Sequence, residues 1–335
     1  VGNFTTGVIS IARDELYTVQ GGIVKEGTVF GLGFAITGLS TSGILATSIS
    51  PGVQSLWNQG TGTLFQREGT HREFNQNPDG SATVAHNGSA GLWLRSFTSS
   101  GGMSPSASSN FNLNLSGSQG FDNDASGIEF GAGYAFNSEW TVGLLGGNSD
   151  STIKPDAGGR VKIDADTVGG YIQWTPGNGF YADFSYRAMD FDGYAVGGQQ
   201  DFGFKGSADG YSLELGYGYK TTTGLIVEPQ FQYTSVDVDM NSITYSMSDF
   251  QLVDGDSSQM RAGVALRKSY KTANGNSWTP YGALSYINET DGTNRYLIGG
   301  LLEGTMDTGG GSTLLEVGAT GFFKGFGISG GINWR

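Results

Sequence analysis

The stretch GLIVEPQFQYTSV, residues Gly224 to Val236, decides the fold. Every second residue from Leu225 is apolar: Leu225, Val227, Pro229, Phe231 and Tyr233. Between them stand Glu228, Gln230, Gln232 and Thr234. Successive side chains of a strand point to opposite faces, so this segment predicts a strand with one greasy face and one wet face.

The same period of two recurs from about Gly91 to the end of the chain. SGIEFGAGYAF puts Ile128, Phe130, Ala132, Tyr134 and Phe136 opposite Glu129. GFYADFSYRA sets Phe184 and Tyr186 against Asp183 and Arg187, and GYSLELGYGYK sets Leu213 and Leu215 against Glu214. MRAGVALRKS places Arg261 and Arg267 on one side, and the last segment aligns Ile328 with Trp334. Alternation alone also fits a soluble half-buried sheet. That sheet would need branched aliphatics to fill the gap to a second layer, whereas this chain draws its apolar surface from 20 Phe, 15 Tyr and 6 Trp among 58 Gly.

Connections alternate in length as well. FNSEW, PGNG, TTTG, ANGNS and KG are tight turns, and between them lie longer segments near 100–125, 148–163, 192–209, 237–257 and 288–311. Short turns on one rim and long loops on the other predict an all-β, transmembrane, antiparallel up-and-down barrel. In lipid the backbone polar groups must pair internally, so such a sheet closes. The expected lipid-facing residues are Phe130, Tyr134, Phe184, Tyr186, Leu213, Leu215, Phe231, Tyr233, Ile328 and Trp334. The expected lumen-facing polar residues are Arg95, Glu129, Asp183, Arg187, Glu214, Glu228, Gln230, Gln232, Arg261, Arg267 and Glu316.

About eleven strands are legible, near 91–100, 126–136, 140–150, 164–175, 179–191, 209–220, 224–237, 257–271, 277–288, 312–323 and 325–335. Eleven is odd where single-chain bacterial barrels are even, so a closing strand is expected beyond Arg335. The first residues, starting at Val1, read as a cut from something longer. Residues 1–50 carry short strand-like runs. Pro51 after Ser50 signals a helix start, and Val53 to Phe74 spans about 33 Å as a helix. Its polar Gln54, Asn58, Gln59, Gln66, Arg67 and Arg72 suit a wet pore, and 75–90 reads as a linker.

These pieces resemble the translocator domain of bacterial autotransporters, the type V secretion system. The resemblance rests on Leu64, Arg67, Gly69 and Arg72 in LFQREGTHR, then Gly91, Trp93 and Arg95 in GLWLRSF. EPQFQY at 228–233 and TPYGALSY at 279–286 are similar to later strands of that family. The resemblance implies a barrel of about twelve strands, with residues 91–335 as the barrel and 51–74 as a pore-plugging helix. It implies that 1–50 is the tail of an upstream passenger, exported to the cell surface. It further implies an outer-membrane location and, as partners, lipid, the passenger, the barrel assembly machinery and periplasmic chaperones, with the barrel a monomer. The self-cleaving branch carries an Asn-Asn pair where this chain has Gly60-Thr61-Gly62-Thr63, so the passenger is expected to stay attached.

Several chemistries are disfavoured. A net charge of −13 with no basic run argues against nucleic acid. Without cysteine there is no thiolate chemistry. GISGG at 327–331 matches a hydrolase elbow in letters, yet only six residues follow Ser329 and the histidines are His71 and His86. Acidic clusters such as DVDMN and DGDSS lack the grammar of a calcium loop. The expectation is therefore no enzyme, no cofactor and no metal. What remains is electrostatic: Arg67 and Arg72 are expected to meet Glu129, Asp183, Glu214, Glu228 or Glu316 in the lumen. A stand-alone porin or enzyme barrel, and a soluble β-sandwich adhesin, are the alternatives.

Overall fold

A computed structural model describes residues 3–4, 9–13, 16–26, 29–63, 66, 75–76, 82–83, 89–110, 119–245, 248–271, 276–323 and 326–335. Eleven strands form one antiparallel sheet in chain order. They are β1 (Ser89–Met103), β2 (Phe121–Ala135), β3 (Trp140–Pro155), β4 (Arg160–Trp174), β5 (Phe180–Val196) and β6 (Phe202–Tyr217). The rest are β7 (Leu225–Met240), β8 (Ser257–Lys268), β9 (Ser277–Asp291), β10 (Gly310–Phe323) and β11 (Phe326–Trp334). The sheet curls, but among the described residues β1 and β11 each pair with one neighbour only, so it stays open along that seam. The closure expected from the lipid argument is not made by these residues.

Short turns form the lower rim. Asn137 Oδ1 accepts from the backbone N–H of Glu139 and Trp140, each at 2.8 Å, and so ties the β2–β3 turn. Gly224 turns the chain into β7 at φ 78°, a conformation glycine adopts without a Cβ penalty.

Two rings of aromatics bound the outward face. Trp140 stands opposite Trp174, Phe180 opposite Tyr217, and Tyr270 opposite Trp278 near the short turns. Tyr186 and Tyr211 pair higher up. Tyr233, Tyr286 and Trp334 continue that upper ring, each stepping down two residues along its strand, as a tilted barrel strand requires. Trp278 to Tyr286 spans about 27 Å of strand, or about 20 Å vertically at barrel tilt, near the height of a lipid-facing band. Between the rings Leu92 is 85% exposed, Leu144 73% and Val168 66%. An apolar belt this continuous belongs against hydrocarbon.

Above the upper ring the strands continue, and their pattern reverses phase. In β4 the outward Val168 and Ile172 occupy even positions, whereas the buried Val161, Ile163 and Ala165 occupy odd ones. In β5, Tyr186 faces out while Met189 and Phe191 are buried and Asp190 and Asp192 are exposed. The segments read as long loops at 148–163, 192–209 and 237–257 are thus largely strand, and β3 with β4 pairs as far as Ile153 and Val161. Their alternation persists with the apolar side turned inward, which a reader tracking the lipid phase takes for a break.

This upper apolar chamber is filled from the N-terminal side. Helix α1 (Thr41–Thr47) and helix α2 (Ile49–Thr61) bury Leu45, Ile49, Val53, Leu56 and Trp57 against it. Each such residue contributes about 2 kcal/mol of gross apolar burial. A five-stranded lid sheet covers the chamber, in the order Ile243–Thr244, Asp249–Gly255, Thr293–Ile298, Leu302–Asp307 and Ser106–Ser109. It contributes Phe250, Tyr296, Ile298 and Leu302 to the same core. A further four-stranded sheet (Asn3–Phe4, Ile9–Arg13, Tyr17–Glu26, Val29–Leu39) precedes α1. Ser40 joins the two, donating its N–H to Leu16 O at 3.0 Å and capping Gly43 N through its side chain.

Candidate functional site

The helices differ from the sequence expectation in extent. A helix from Val53 to Phe74 was expected; α2 starts at Ile49, with Pro51 in its first turn, and ends at Thr61. Gln66 is helical again, and 64–65 and 67–74 lie outside the described residues. Gly62 stops α2 at φ 53°. A Cβ there would come within 2.8 Å of Arg95 Nη2. A reciprocal capping box follows at once: Gln66 N donates to Thr63 Oγ1, and Thr63 N donates to Gln66 Oε1, both at 3.1 Å. Helix α1 was missed because TSGILAT is too short and too rich in Ser, Thr and Gly to show helical periodicity.

Helix α2 descends from the apolar chamber into a polar lumen. Glu129, Asp183, Arg187, Glu214, Glu228, Gln230, Gln232, Arg261, Arg267 and Glu316 are all buried on the inward face, and Arg95 is nearly so. On the outward face Phe130, Tyr134, Phe184, Tyr186, Leu213, Phe231, Ile328 and Trp334 are exposed, while Leu215 and Tyr233 are half-buried.

The inward groups form three connected clusters. Glu129 receives Arg187 and, at 3.2 Å, Arg95. Glu214 accepts from Tyr181 at 2.8 Å and faces Arg261 at 3.5 Å, and Arg261 Nε donates to Gln232 at 3.0 Å. Glu228 accepts from Arg267 at 2.7 Å and from Gln230 at 3.0 Å. Buried charges survive only when matched in this way.

These clusters grip the end of the helix. Arg95 Nη1 donates to Gly60 O at 2.7 Å and its Nη2 to Gln59 O at 2.9 Å. Gln232 Nε2 donates to Gly62 O at 2.7 Å. Gln66 Nε2 donates to Glu316, and Thr234 Oγ1 donates to Asn58 Oδ1 at 3.3 Å. The last carbonyls of a helix lack intrahelical partners and carry partial negative charge, so a guanidinium is the complementary cap.

The described contacts run from arginine on the wall to carbonyl on the helix. The expected partners on the helix side, Arg67 and Arg72, lie outside the described residues, as do Leu64 and Gly69. Sequence reasoning named Gln59 for its side chain but missed the carbonyls of Gln59, Gly60 and Gly62 as contact points, since main-chain acceptors leave no side-chain signature.

At the upper mouth the grip is also specific. Gln54 Nε2 donates to Gly255 O at 2.8 Å and to Asn294 Oδ1 at 3.0 Å, and Ser50 Oγ donates to Asn294 Oδ1 at 2.6 Å. Ser42 N donates to Gln199 Oε1 at 3.0 Å, and Thr47 Oγ1 to Gln119 Oε1 at 3.0 Å. Beside Gln54, partial burial and a hydrogen bond shared with Asp237 push the Asp256 carboxyl up to about 6, with the charges of Asp254 and Asp291 adding to the shift. Among the described residues no group of acidic and histidine side chains could hold a metal ion.

The sequence matches the family model described as the autotransporter beta-domain over residues 103–333. The probable autotransporter YcgV of Escherichia coli (strain K12) is 32% identical over 183 residues, 51% of this chain and 17% of its own length. This chain therefore spans only a small part of that relative. The beta domain of the Bordetella autotransporter BrkA superposes with a TM-score of 0.55 at 20% identity, covering 73% of this chain and 91% of that one. The transport unit of the Escherichia coli autotransporter AIDA-I gives 0.56 at 15% identity, covering 87% and 92%. At these identities the likeness is one of fold. An antiparallel sheet with an apolar outer belt, curled around a helix, thus coincides with a family match over most of the chain: it belongs to the autotransporter beta-domain family, the outer-membrane translocators of type V secretion.

Proposed function

We propose that residues 89–335 anchor the chain in the outer membrane and serve as the export route for a passenger upstream of α1, and that α1 and α2 plug that route afterwards. Residues before α1 are the passenger's last portion or junction. The observation that carries this is the capping of the α2 carbonyls at Gln59 and Gly60 by Arg95 from the barrel wall. A helix so held leaves the lumen no room for transit. The module binds and conducts; as a member of a transport-barrel family it has no catalytic role.

The chain around the end of α2 reads Gly60-Thr61-Gly62-Thr63 and offers no asparagine pair for self-cleavage, so the passenger remains tethered. An apolar belt that water would aggregate argues for periplasmic chaperones before insertion and for the barrel assembly machinery during it. The folded barrel is a monomer.

The test is conductance in planar lipid bilayers of the full chain against a deletion of residues 49–66. Loss of the helix is expected to convert a closed protein into an open one. Equal conductance for the two would end the plug reading.

A further inference from the structure

We infer that the pore is shut at its outer mouth, by a dry apolar core that α1 and α2 complete, and that the arginine clamp below aligns the helix without being the seal. This rests on the reading that α2 occupies the lumen.

The two levels of the lumen differ in kind. Around Gly60 and Gly62 the walls are charged and hydrogen-bonded, a lining that water would wet once the helix left it. Around Ile49 and Val53 the walls are Ile153, Val161 and Ile163, and all five side chains have no exposed surface. Both levels are buried in the packed state, but only the wall around Ile49 and Val53 is apolar, so only there does the lining repel water.

Packing there is too close to admit a second chain. A Cβ on Gly52 would meet Ile153 Cδ1 at 2.1 Å, and one on Gly210 would meet Trp57 Cζ2 at 2.8 Å. A core this tight forms only when transit is over.

Lid and helix also depend on each other. The lid strands come from three separate connections, before β2, between β7 and β8, and between β9 and β10. Asn294 of the lid accepts from both Ser50 and Gln54 of α2. Without the helix, Phe250, Ile298 and Leu302 would line an open hole. The helix therefore organises the lid that covers it.

The experiment compares the full chain with I49D/V53D, R95Q and the lid-surface control V253D in planar bilayers. Open probability is expected to rise about a hundredfold in I49D/V53D and approach that of the 49–66 deletion. R95Q is expected to give less than about a tenth of that rise, and V253D none. A closed I49D/V53D beside an open R95Q would overturn the inference while leaving the plug reading intact. A deletion that stays closed would remove the plug reading itself.

Heat-modifiable migration on gels reports whether each barrel folded. If I49D/V53D does not fold, the pair S50C/N294C decides, in a chain that has no cysteine of its own. Oxidation is expected to lower spontaneous openings at least about tenfold relative to the reduced form. Equal opening in both redox states would overturn the outer seal.

Discussion

Arg95 on the first barrel strand and Gly60 in the last turn of α2 meet at 2.7 Å, guanidinium to carbonyl. The bond joins a side chain of the wall to a main-chain group of the helix, so it is indifferent to the residue at position 60. R95Q removes this bond, the bond to Gln59 O and the ion pair with Glu129. The expected cost is about 2–4 kcal/mol at the end of the helix. Hydrogen exchange should speed up at Gly62 N–H, which bonds to Asn58 O, while amides at the start of α2 keep their protection. Uniform acceleration along α2 would contradict a local cap.

Glu129 holds two guanidinium groups, and Arg187 has only 1% of its side chain exposed. Glu129→Gln removes the carboxylate charge from that buried ion pair, at a cost of about 3–5 kcal/mol. The temperature at which the folded band is lost on gels should fall clearly. Glu139→Gln, at the lower rim, provides the exposed comparison, and an equal fall for both would refute a buried network.

Gly52 faces the tip of Ile153. Gly52→Ala is expected to destabilise by about 1–3 kcal/mol through overpacking, although alanine is the better helix former. Adding Ile153→Val removes the colliding methyl and should restore much of the loss. A stabilised single variant would show that the upper core is loose.

Asp256 ties the mouth to pH. Its folded carboxyl titrates near 6 against an ordinary value of 3.8, because of partial burial and the neighbouring Asp237. A raised carboxyl contributes stability in full below the unfolded value and loses it as pH rises through the folded one. The lid is therefore expected to hold more firmly at about pH 4 than at pH 7, with the change falling across the interval between the two values. Asp237, Asp254 and Asp291 are the repelling groups, and Asp254 is itself paired with Arg295, which donates to it through Nε at 3.0 Å. Asp256→Asn should abolish the dependence, as read by exchange at the Asp249–Gly255 strand. An unchanged profile would point to another titrating group.

Leu144 is 73% exposed in the middle of the outward band. In water Leu144→Arg would cost next to nothing. In a bilayer it is expected to cost about 2–4 kcal/mol, measured as reversible unfolding from lipid vesicles. Indifference to the change would mean that no hydrocarbon covers this face.

The sheet was largely legible in the sequence, and so was the presence of a helix near Pro51, but its contacts were not. β5 and β7 announce themselves because period two fixes opposite faces locally, so Phe184 and Asp183, or Phe231 and Gln232, separate without knowledge of any partner. The positions of Arg95 and Glu129 on the inward face follow from the same parity. Their grip on Gly60 does not, because a backbone carbonyl is present at every residue and only its place in space selects it.

Local alternation thus determined by itself the strand count, the turn rim and the apolar belt, since each depends on neighbours one or two residues away. Tertiary structure alone decided where the inward face turns from charged to apolar and how far α2 runs. It also decided that Asn294 should close over Ser50 and Gln54. Those outcomes depend on contacts between residues far apart in the chain, where burial is a property of the assembled chamber and of no single segment.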